Sequence, residues 1–207
     1  PAVESTPQAC LSVQKIAIYD VDRTLTRLPT YTPFLFHAMM WRAPWRGFLI
    51  PLLLPVACAY KFGIISRRQM KQSMHWIALG KHVHRKEADT LAARFAEKLF
   101  FSGLYKKSIE QIERDRSEGF LQILATAAPH FYIEPLARRL KIEDVVATGS
   151  SWSNGKLTPI IDGENCYGSE KLSRIVDFFN RRGFDRERLF IRFYPDHQSD
   201  LPLCQWV

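Results

Sequence analysis

Two aspartates two residues apart, Asp20 and Asp22 in the segment Asp20-Val21-Asp22-Arg23-Thr24, follow directly on the apolar run Lys15-Ile16-Ala17-Ile18-Tyr19. Such a run reads as a buried parallel strand that hands polar residues to its C-terminal edge, the edge at which open α/β sheets bind ligands. A carboxylate there can attack phosphorus and carry it as an aspartyl phosphate, dividing one hard displacement into two easier ones. Its neighbour can protonate the leaving oxygen and then deprotonate the water that clears the intermediate. Taken alone, the pair fits a helix cap or a metal site equally well.

Phosphoryl transfer needs charge neutralisation as much as a nucleophile, and other segments carry residues of the right kind. The strand-like run Phe120 to Ala125 ends at Thr126, whose hydroxyl, with the backbone N–H groups around Ala127 and at the following helix N-terminus, can cradle phosphate oxygens. Gly168-Ser169-Glu170-Lys171 opens a helix that continues to about Arg182, and Lys171 supplies a fixed positive charge. A last strand, Arg188 to Phe193, leads into Pro195-Asp196-His197-Gln198-Ser199-Asp200, where Asp196 and Asp200 offer hard oxygen ligands that suit Mg²⁺.

These positions converge on one crevice only if the strands are parallel neighbours. Helices are expected from about Leu104 to Glu118 and from about His130 to Leu140, with a short strand at Val145 to Ala147. Asn154-Gly155 between Ser151-Trp152-Ser153 and Lys156-Leu157-Thr158 signals a tight hairpin on the rim. Strands alternating with helices imply an α/β fold with a mostly parallel, doubly wound sheet. The segment Tyr31 to Leu99, rich in aromatics, Met and Leu at helical spacing, interrupts that pattern as a helical insertion. The division expected is a lead-in at 1–14 without order, a catalytic core at 15–28 and 104–207, and an insertion at 29–103.

The chain of 207 residues is 46% apolar and 24% charged, an ordinary globular composition. Its formal charge of +8 favours anionic partners without choosing among phosphorylated substrates, nucleic acid and anionic lipid. The basic residues fall in short groups, including Arg42 with Arg46, Arg67 to Lys71, and Lys81 to Lys86, each of which reads as solvated surface. Cys10, Cys58, Cys166 and Cys204 are widely separated, which signals neither a zinc knuckle nor a disulfide framework and makes a reducing compartment the default. His82 and His84, among lysines and arginines, read as exposed. No secretory pattern opens the sequence.

In order, DVDRTLT, ILATAAP, GSEKL and DHQSDLPL resemble the four motifs of the haloacid dehalogenase superfamily, and in particular its phosphoserine-phosphatase-like branch. The resemblance spans roughly Ile16 to Leu203 and implies a Rossmann-like core with an inserted all-helical cap closing over the site. By motif position it implies Asp20 as nucleophile, Asp22 as acid/base, Thr126 as phosphate-binding hydroxyl and Lys171 as stabilising cation. Arg23, Thr24 and Ala127 are implied in substrate binding, and Asp20, the Asp22 carbonyl, Asp196 and Asp200 in holding Mg²⁺. Arg23 stands where glycine is commonest, and Ala128 and Pro195 where serine is frequent; none of these removes a catalytic side chain. Relatives usually continue through another strand and helix beyond the fourth motif, whereas Val207 follows it closely here.

The substrate must be read from the insertion. Gly47 to Tyr60 is uncharged, too short for a transmembrane helix of about 20 residues, and broken by Pro51 and Pro55. It reads either as packing within the cap or as a segment lying in a bilayer interface. In the second case Trp41 and Trp45 sit at headgroup level, with Arg42, Arg46, Lys61, Arg67 and Arg68 toward anionic lipid. The pattern resembles phosphatidylglycerophosphatase C-like members of the branch, which act on phosphatidylglycerol phosphate at the inner membrane. The expectation is therefore an Mg²⁺-dependent phosphatase of a lipid phosphate on the cytoplasmic side of the inner membrane, peripheral to it or inserted in it, with no nucleic-acid partner. The alternatives are a soluble small-metabolite phosphatase acting on a phosphoserine-like ester and a non-catalytic anion- or nucleic-acid-binding module; the latter predicts loss of a catalytic residue, and none is missing.

Overall fold

The structure, a computed structural model, describes residues 13–207. Most of the expected lead-in, and Cys10, lie outside them. In chain order the elements are β1 (Gln14–Tyr19), α1 (Tyr31–Arg42), a 3₁₀ segment (Pro44–Leu52), α2 (Leu53–Lys61), α3 (Arg67–Leu79), β2 (Val83–His84), α4 (Arg85–Lys98) and α5 (Lys106–Ser117). There follow β3 (Leu121–Pro129), α6 (His130–Arg139), β4 (Asp144–Ser153), β5 (Lys156–Asp162), α7 (Ser169–Arg182), β6 (Leu189–Tyr194) and α8 (Leu201–Trp206).

Six strands form one sheet in the order β2-β5-β4-β3-β1-β6. β6, β1, β3 and the first part of β4 are parallel, and β5 and β2 add antiparallel edges. This is the expected α/β architecture. β1 sits between β3 and β6, so the connections diverge on its two sides and open a crevice beyond its C-terminal end, the place where doubly wound sheets bind ligands.

Alternation along β1 builds two cores. Ala17 and Tyr19 face one side with Phe34, Phe95, Ile112, Leu124, Tyr132 and Leu136, which come from α1, α4, α5, β3 and α6. Ile16 and Ile18 face the other, against Ile175, Phe179 and Leu203 of α7 and α8. The first core includes side chains from the insertion as well as from the sheet layer, so α1 and α4 share a continuous apolar interior with α6. α7 ends in the way its sequence asks: Gly183 takes a left-handed conformation (φ 69°) and the Phe184 N–H reaches back 2.9 Å to the Phe179 carbonyl.

Several local expectations shift. Gln14, assigned to the lead-in, already pairs with Leu189 of β6. The short strand at 145–147 and the first arm of the hairpin are one ten-residue strand, β4, with a register shift between Ser150 and Trp152. Its turn is as expected, with Asn154 (φ 48°) and Gly155 (φ 70°) both left-handed. Within the insertion, Val83 and His84 pair with Leu157 and Lys156. His82 and His84 are exposed, and Cys58, Cys166 and Cys204 are free thiols.

Candidate active site

Backbone pairing sets the position of Asp20. Its N–H donates to the Tyr194 carbonyl at 3.1 Å, which carries the β1–β6 ladder one residue beyond β1. Just beneath, Tyr19 and Tyr194 lie opposite in register and stack with ring centroids 4.9 Å apart. Both hydroxyls donate to Oδ2 of Asp115, at 2.5 and 2.9 Å, while Arg192 and Gln111 donate to its Oδ1. Burial alone would raise the Asp115 carboxyl; these donors hold it below its usual range. The two strand ends that deliver Asp20 and Asp196 are thus tied from below.

Beyond Asp20 the chain turns sharply, with the Val21 carbonyl accepting from the N–H groups of Leu25 and Thr26 and from the Thr26 hydroxyl. The turn puts Arg23 at φ 63°, a conformation that costs a non-glycine residue about 1 kcal/mol and is the physical reason glycine suits this position. The turn also directs Asp22 back toward the start of α1. There Thr30 donates to Asp22 Oδ1 twice, from its N–H and its hydroxyl, each at 2.8 Å. The Thr30 oxygen in turn lies 3.1 Å from the Tyr132 hydroxyl, so the orientation of Asp22 is fixed by a buried chain of donors. One carboxylate oxygen, Oδ2, remains for other work.

Lys171 enters from the first turn of α7, which Gly168 opens at φ 62°. Its Nζ lies 2.8 Å from Asp20 Oδ1 and 2.7 Å from Asp200 Oδ1, with all three side chains buried. Although in ion-pair contact, Asp200 receives no well-directed hydrogen bond on either oxygen. Oxygens of Asp20, Asp196 and Asp200 all lie within 4.8 Å of one another. One ammonium therefore faces three carboxylates. Burial pushes the Asp20 carboxyl up to about 7, with Lys171 pulling it down and Asp200 and Asp196 pushing it further up. Asp196 is also raised, by burial and then by Asp200. Lys171 is lowered by burial but raised on balance by its two carboxylate partners, so it stays protonated. Excess negative charge, closely spaced hard oxygens and a buried carboxylate lacking directed donors together fit a divalent cation.

A cavity of about 340 Å³ opens over these groups. Asp20, Asp22, Arg23, Thr126, Ala127, Lys171 and Asp196 line it, and Asp200 lies behind Lys171. Thr126 is fully buried; its oxygen accepts from the Ala128 N–H at 3.1 Å, leaving its proton free to donate toward the cavity. Two expectations are not met. Thr24 does not line the cavity: its carbonyl accepts from Ser108 at 2.7 Å and its hydroxyl is buried. The N-terminus of α6 does not line it either, because β3 runs on through Pro129 instead of stopping at Thr126.

Sequence reasoning missed the far wall. Tyr31, Tyr60, Arg67, Lys71 and Tyr167 also line the cavity, with Pro29, Met70, His197 and Ser199. Lys71, assigned to solvated surface, is buried and donates to the Ala127 carbonyl at 2.8 Å and to Asn165 Oδ1 at 2.7 Å. Burial lowers it to about 8, against the pull of Asp22. The available signal was the spacing: Ser66 and Gln69 form a capping box that starts α3, which puts Arg67 and Lys71 four apart on one face. The arginines expected to face lipid are also mostly engaged. Arg42 donates to the carbonyls of Leu79 and His82 and pairs with Glu87, Arg46 donates to those of Ile77 and Trp76, and Arg68 pairs with Glu164.

The family model described as haloacid dehalogenase-like hydrolase matches residues 17–205. Protein CicA of Caulobacter vibrioides is 28% identical over 166 residues, covering 79% of this chain and 72% of that protein. A protein of unknown function from Bordetella pertussis has the same fold, with a TM-score of 0.82 at 21% identity over 94% of this chain and 87% of its own. A phosphoserine phosphatase bearing an analogue of its phospho-aspartyl intermediate aligns with a TM-score of 0.61 at 14% identity, over 94% of this chain and 83% of its own.

Proposed function

Since the chain belongs to the haloacid dehalogenase-like hydrolases, we propose that it is an Mg²⁺-dependent phosphatase in which Asp20 is the nucleophile. The observation that carries this reading is the convergence of Asp20, Asp22, Thr126, Lys171 and Asp196 on one cavity, with Asp200 behind Lys171.

The substrate phosphoryl group lies over Asp20, with the Thr126 hydroxyl and the backbone at Ala127 donating to its oxygens. Asp20 attacks, the bond from phosphorus to the leaving oxygen breaks, and Asp22 gives that oxygen a proton. Thr30 occupies Oδ1, so the proton travels on Oδ2 of Asp22. Asp22, now a carboxylate, takes a proton from water as the water oxygen bonds phosphorus and the bond to Asp20 breaks, which restores both groups. When bound, Mg²⁺ would be held by Asp20, Asp196, Asp200 and the Asp22 carbonyl, and would supply the positive charge that offsets the phosphoryl oxygens and keeps Asp20 ionised. Lys171 fixes the Asp20 rotamer and keeps a cation beside it throughout. Asp20→Asn, assayed for phosphate release with Mg²⁺ present, is expected to lose activity by about a thousandfold or more; activity near wild type overturns the assignment.

The substrate we propose is a lipid phosphomonoester such as phosphatidylglycerol phosphate, met at a membrane surface. The support is the exposure of the uncharged stretch: no residue of Pro44–Leu52 or of α2 is buried, and Phe48 is 89% and Leu54 70% exposed. This counts against the cap-packing alternative. The stretch ends at Tyr60, which lines the cavity, so the apolar face adjoins its mouth. Among the described residues no helix is long and apolar enough to cross a membrane; the contact we propose is an interfacial one made by this apolar face. Because Arg42, Arg46 and Arg68 are held by protein groups, attraction to lipid rests on apolar area more than on charge. Sedimentation with anionic vesicles and hydrolysis of phosphatidylglycerol phosphate within them test the reading. Release of phosphate from soluble esters but never from lipid phosphates favours a small-metabolite phosphatase instead.

A further inference from the structure

The strand that carries Thr126 breaks its pairing just past that residue. Thr126 lies opposite Ala147 of β4, but the next paired residues are Pro129 and Thr148, so Ala127 and Ala128 have no partner on the neighbouring strand. A bulge of this kind leaves backbone groups outside the ladder, and those that are buried must find partners elsewhere. The peptide between Ala127 and Ala128 finds three. Its N–H donates to the Thr126 oxygen at 3.1 Å, and its carbonyl accepts from the Lys71 ammonium and the Thr148 hydroxyl, each at 2.8 Å.

Thr148 is fully buried and does not line the cavity. Its oxygen also accepts from the Cys166 N–H at 3.0 Å, and Asn165 Oδ1 lies 3.3 Å away. A hydroxyl has one proton to give. The shorter contact takes it, so Thr148 donates to the Ala127 carbonyl and accepts from the loop that leads through Gly168 to Lys171. One side chain set back from the cavity thus joins β3, β4 and the loop before α7, and two of these lead to Thr126 and Lys171.

What this hold controls is the direction of the Thr126 hydroxyl. While the Ala128 N–H occupies its oxygen, the Thr126 proton is left to point at the cavity. Rotation of the Ala127–Ala128 peptide would withdraw that N–H and free the hydroxyl to turn away. Lys71 is the flexible half of the hold, since its ammonium ends a four-carbon stem from the insertion and is shared with Asn165. Thr148 is the rigid half, β-branched and fixed on the adjacent strand.

We propose that Thr148 is a positioning residue for phosphoryl transfer: it fixes the Ala127–Ala128 peptide, and through it the Thr126 hydroxyl, without touching the substrate. This rests on the reading of the cavity as a phosphatase site and adds to it a residue outside the cavity wall.

The test is hydrolysis of p-nitrophenyl phosphate by the full chain with Mg²⁺, inhibited by orthovanadate, whose five-coordinate form resembles the transition state. Thr148→Val keeps the volume and removes the hydroxyl. It should lower kcat about tenfold or more and weaken vanadate inhibition about tenfold, with the Mg²⁺ concentration for half activity unchanged within about twofold. Thr148→Ser should bring the inhibition constant back to within about threefold of wild type. A purely structural role would cut the amount of folded enzyme and the apparent kcat but leave the inhibition constant alone, because that constant does not depend on how much active enzyme is present. For the same reason a variant that folds only in part still gives the answer. An inhibition constant for Thr148→Val within twofold of wild type, a serine variant as weak as the valine one, or an equal rise in the Mg²⁺ requirement overturns the proposal. No turnover by the wild type, or full turnover by Asp20→Asn, overturns the phosphatase reading and the proposal with it; turnover that needs Asp20 together with an unmoved inhibition constant overturns the proposal alone.

Discussion

The floor of the cavity and the outer segment of the insertion, Pro44 to Lys61, obey opposite rules. On the floor the reacting groups are held: Asp20 by the β6 backbone and Lys171, Asp22 by Thr30, and the strand ends by the stacked tyrosines on Asp115. Over Pro44 to Lys61 no side chain is buried, and Phe48 and Leu54 stand in solvent. A preorganised floor fits chemistry that tolerates no misplacement, whereas an uncovered apolar face fits a partner that arrives from outside. The stability of the molecule should therefore be sensitive to charge changes on the floor and indifferent to the outer face.

Removing the central cation tests the first half most severely. Lys171→Met leaves Asp20 and Asp200 buried against each other, so it should abolish phosphate release and lower unfolding stability by about 3–5 kcal/mol. Mg²⁺ should recover more melting temperature in this variant than in the wild type. A loss under about 1 kcal/mol without Mg²⁺ would mean that the lysine does not hold the floor.

The inner part of the insertion should resemble the floor rather than the outer segment, and pH can show it. His75 of α3 is buried with no partner on Nε2, and burial, followed by the charge of Arg42, lowers it to about 4. Between pH 6.5 and 4 the unfolded chain binds the proton that the folded chain refuses, so stability is full above about 6.5 and falls as pH drops through that window. Denaturant titrations should show roughly 3 kcal/mol of this loss in the wild type, and His75→Phe should abolish that share of it. An identical pH profile in the variant would place the loss elsewhere.

Thr30 separates positioning from chemistry. Thr30→Val keeps the volume but removes the hydroxyl that orients Asp22, and should lower kcat about tenfold with little change in KM. Equal loss in kcat and in binding would argue that the pair is only structural. The smallest effect is expected on the outer face, where Phe48→Ser should alter unfolding stability by no more than about 0.5 kcal/mol and weaken vesicle sedimentation. Aggregation of the folded core in that variant, or unchanged vesicle binding, would break the contrast.

The same contrast explains what could be read from the sequence. Asp20, Asp22, Thr126, Lys171, Asp196 and Asp200 are recognisable because strand ends and a helix start announce them in one dimension. The sheet follows from the same alternation of strand and helix. Thr30 was not legible, since its contact with Asp22 depends on a left-handed turn at Arg23 that the residue type argues against. Lys71 was not, since a lysine in a basic cluster is ordinarily solvated, and only the tertiary fold brings the Ala127 carbonyl and Asn165 Oδ1 to its ammonium. Thr24 differs from what the motif resemblance implies: the turn gives its carbonyl to the Ser108 hydroxyl, and it does not line the cavity. β3 ran past its expected end because Ala127 to Pro129 keep extended geometry through a register shift.

The central claim is a covalent phosphoryl group on Asp20. The most direct measurement is a borohydride quench of the enzyme turning over a phosphomonoester with Mg²⁺, followed by peptide mapping. Reduction of an aspartyl phosphate yields homoserine, so the account predicts homoserine at position 20, dependent on substrate and absent from Asp20→Asn. Full turnover with an unmodified Asp20, or homoserine at Asp22 instead, would contradict it.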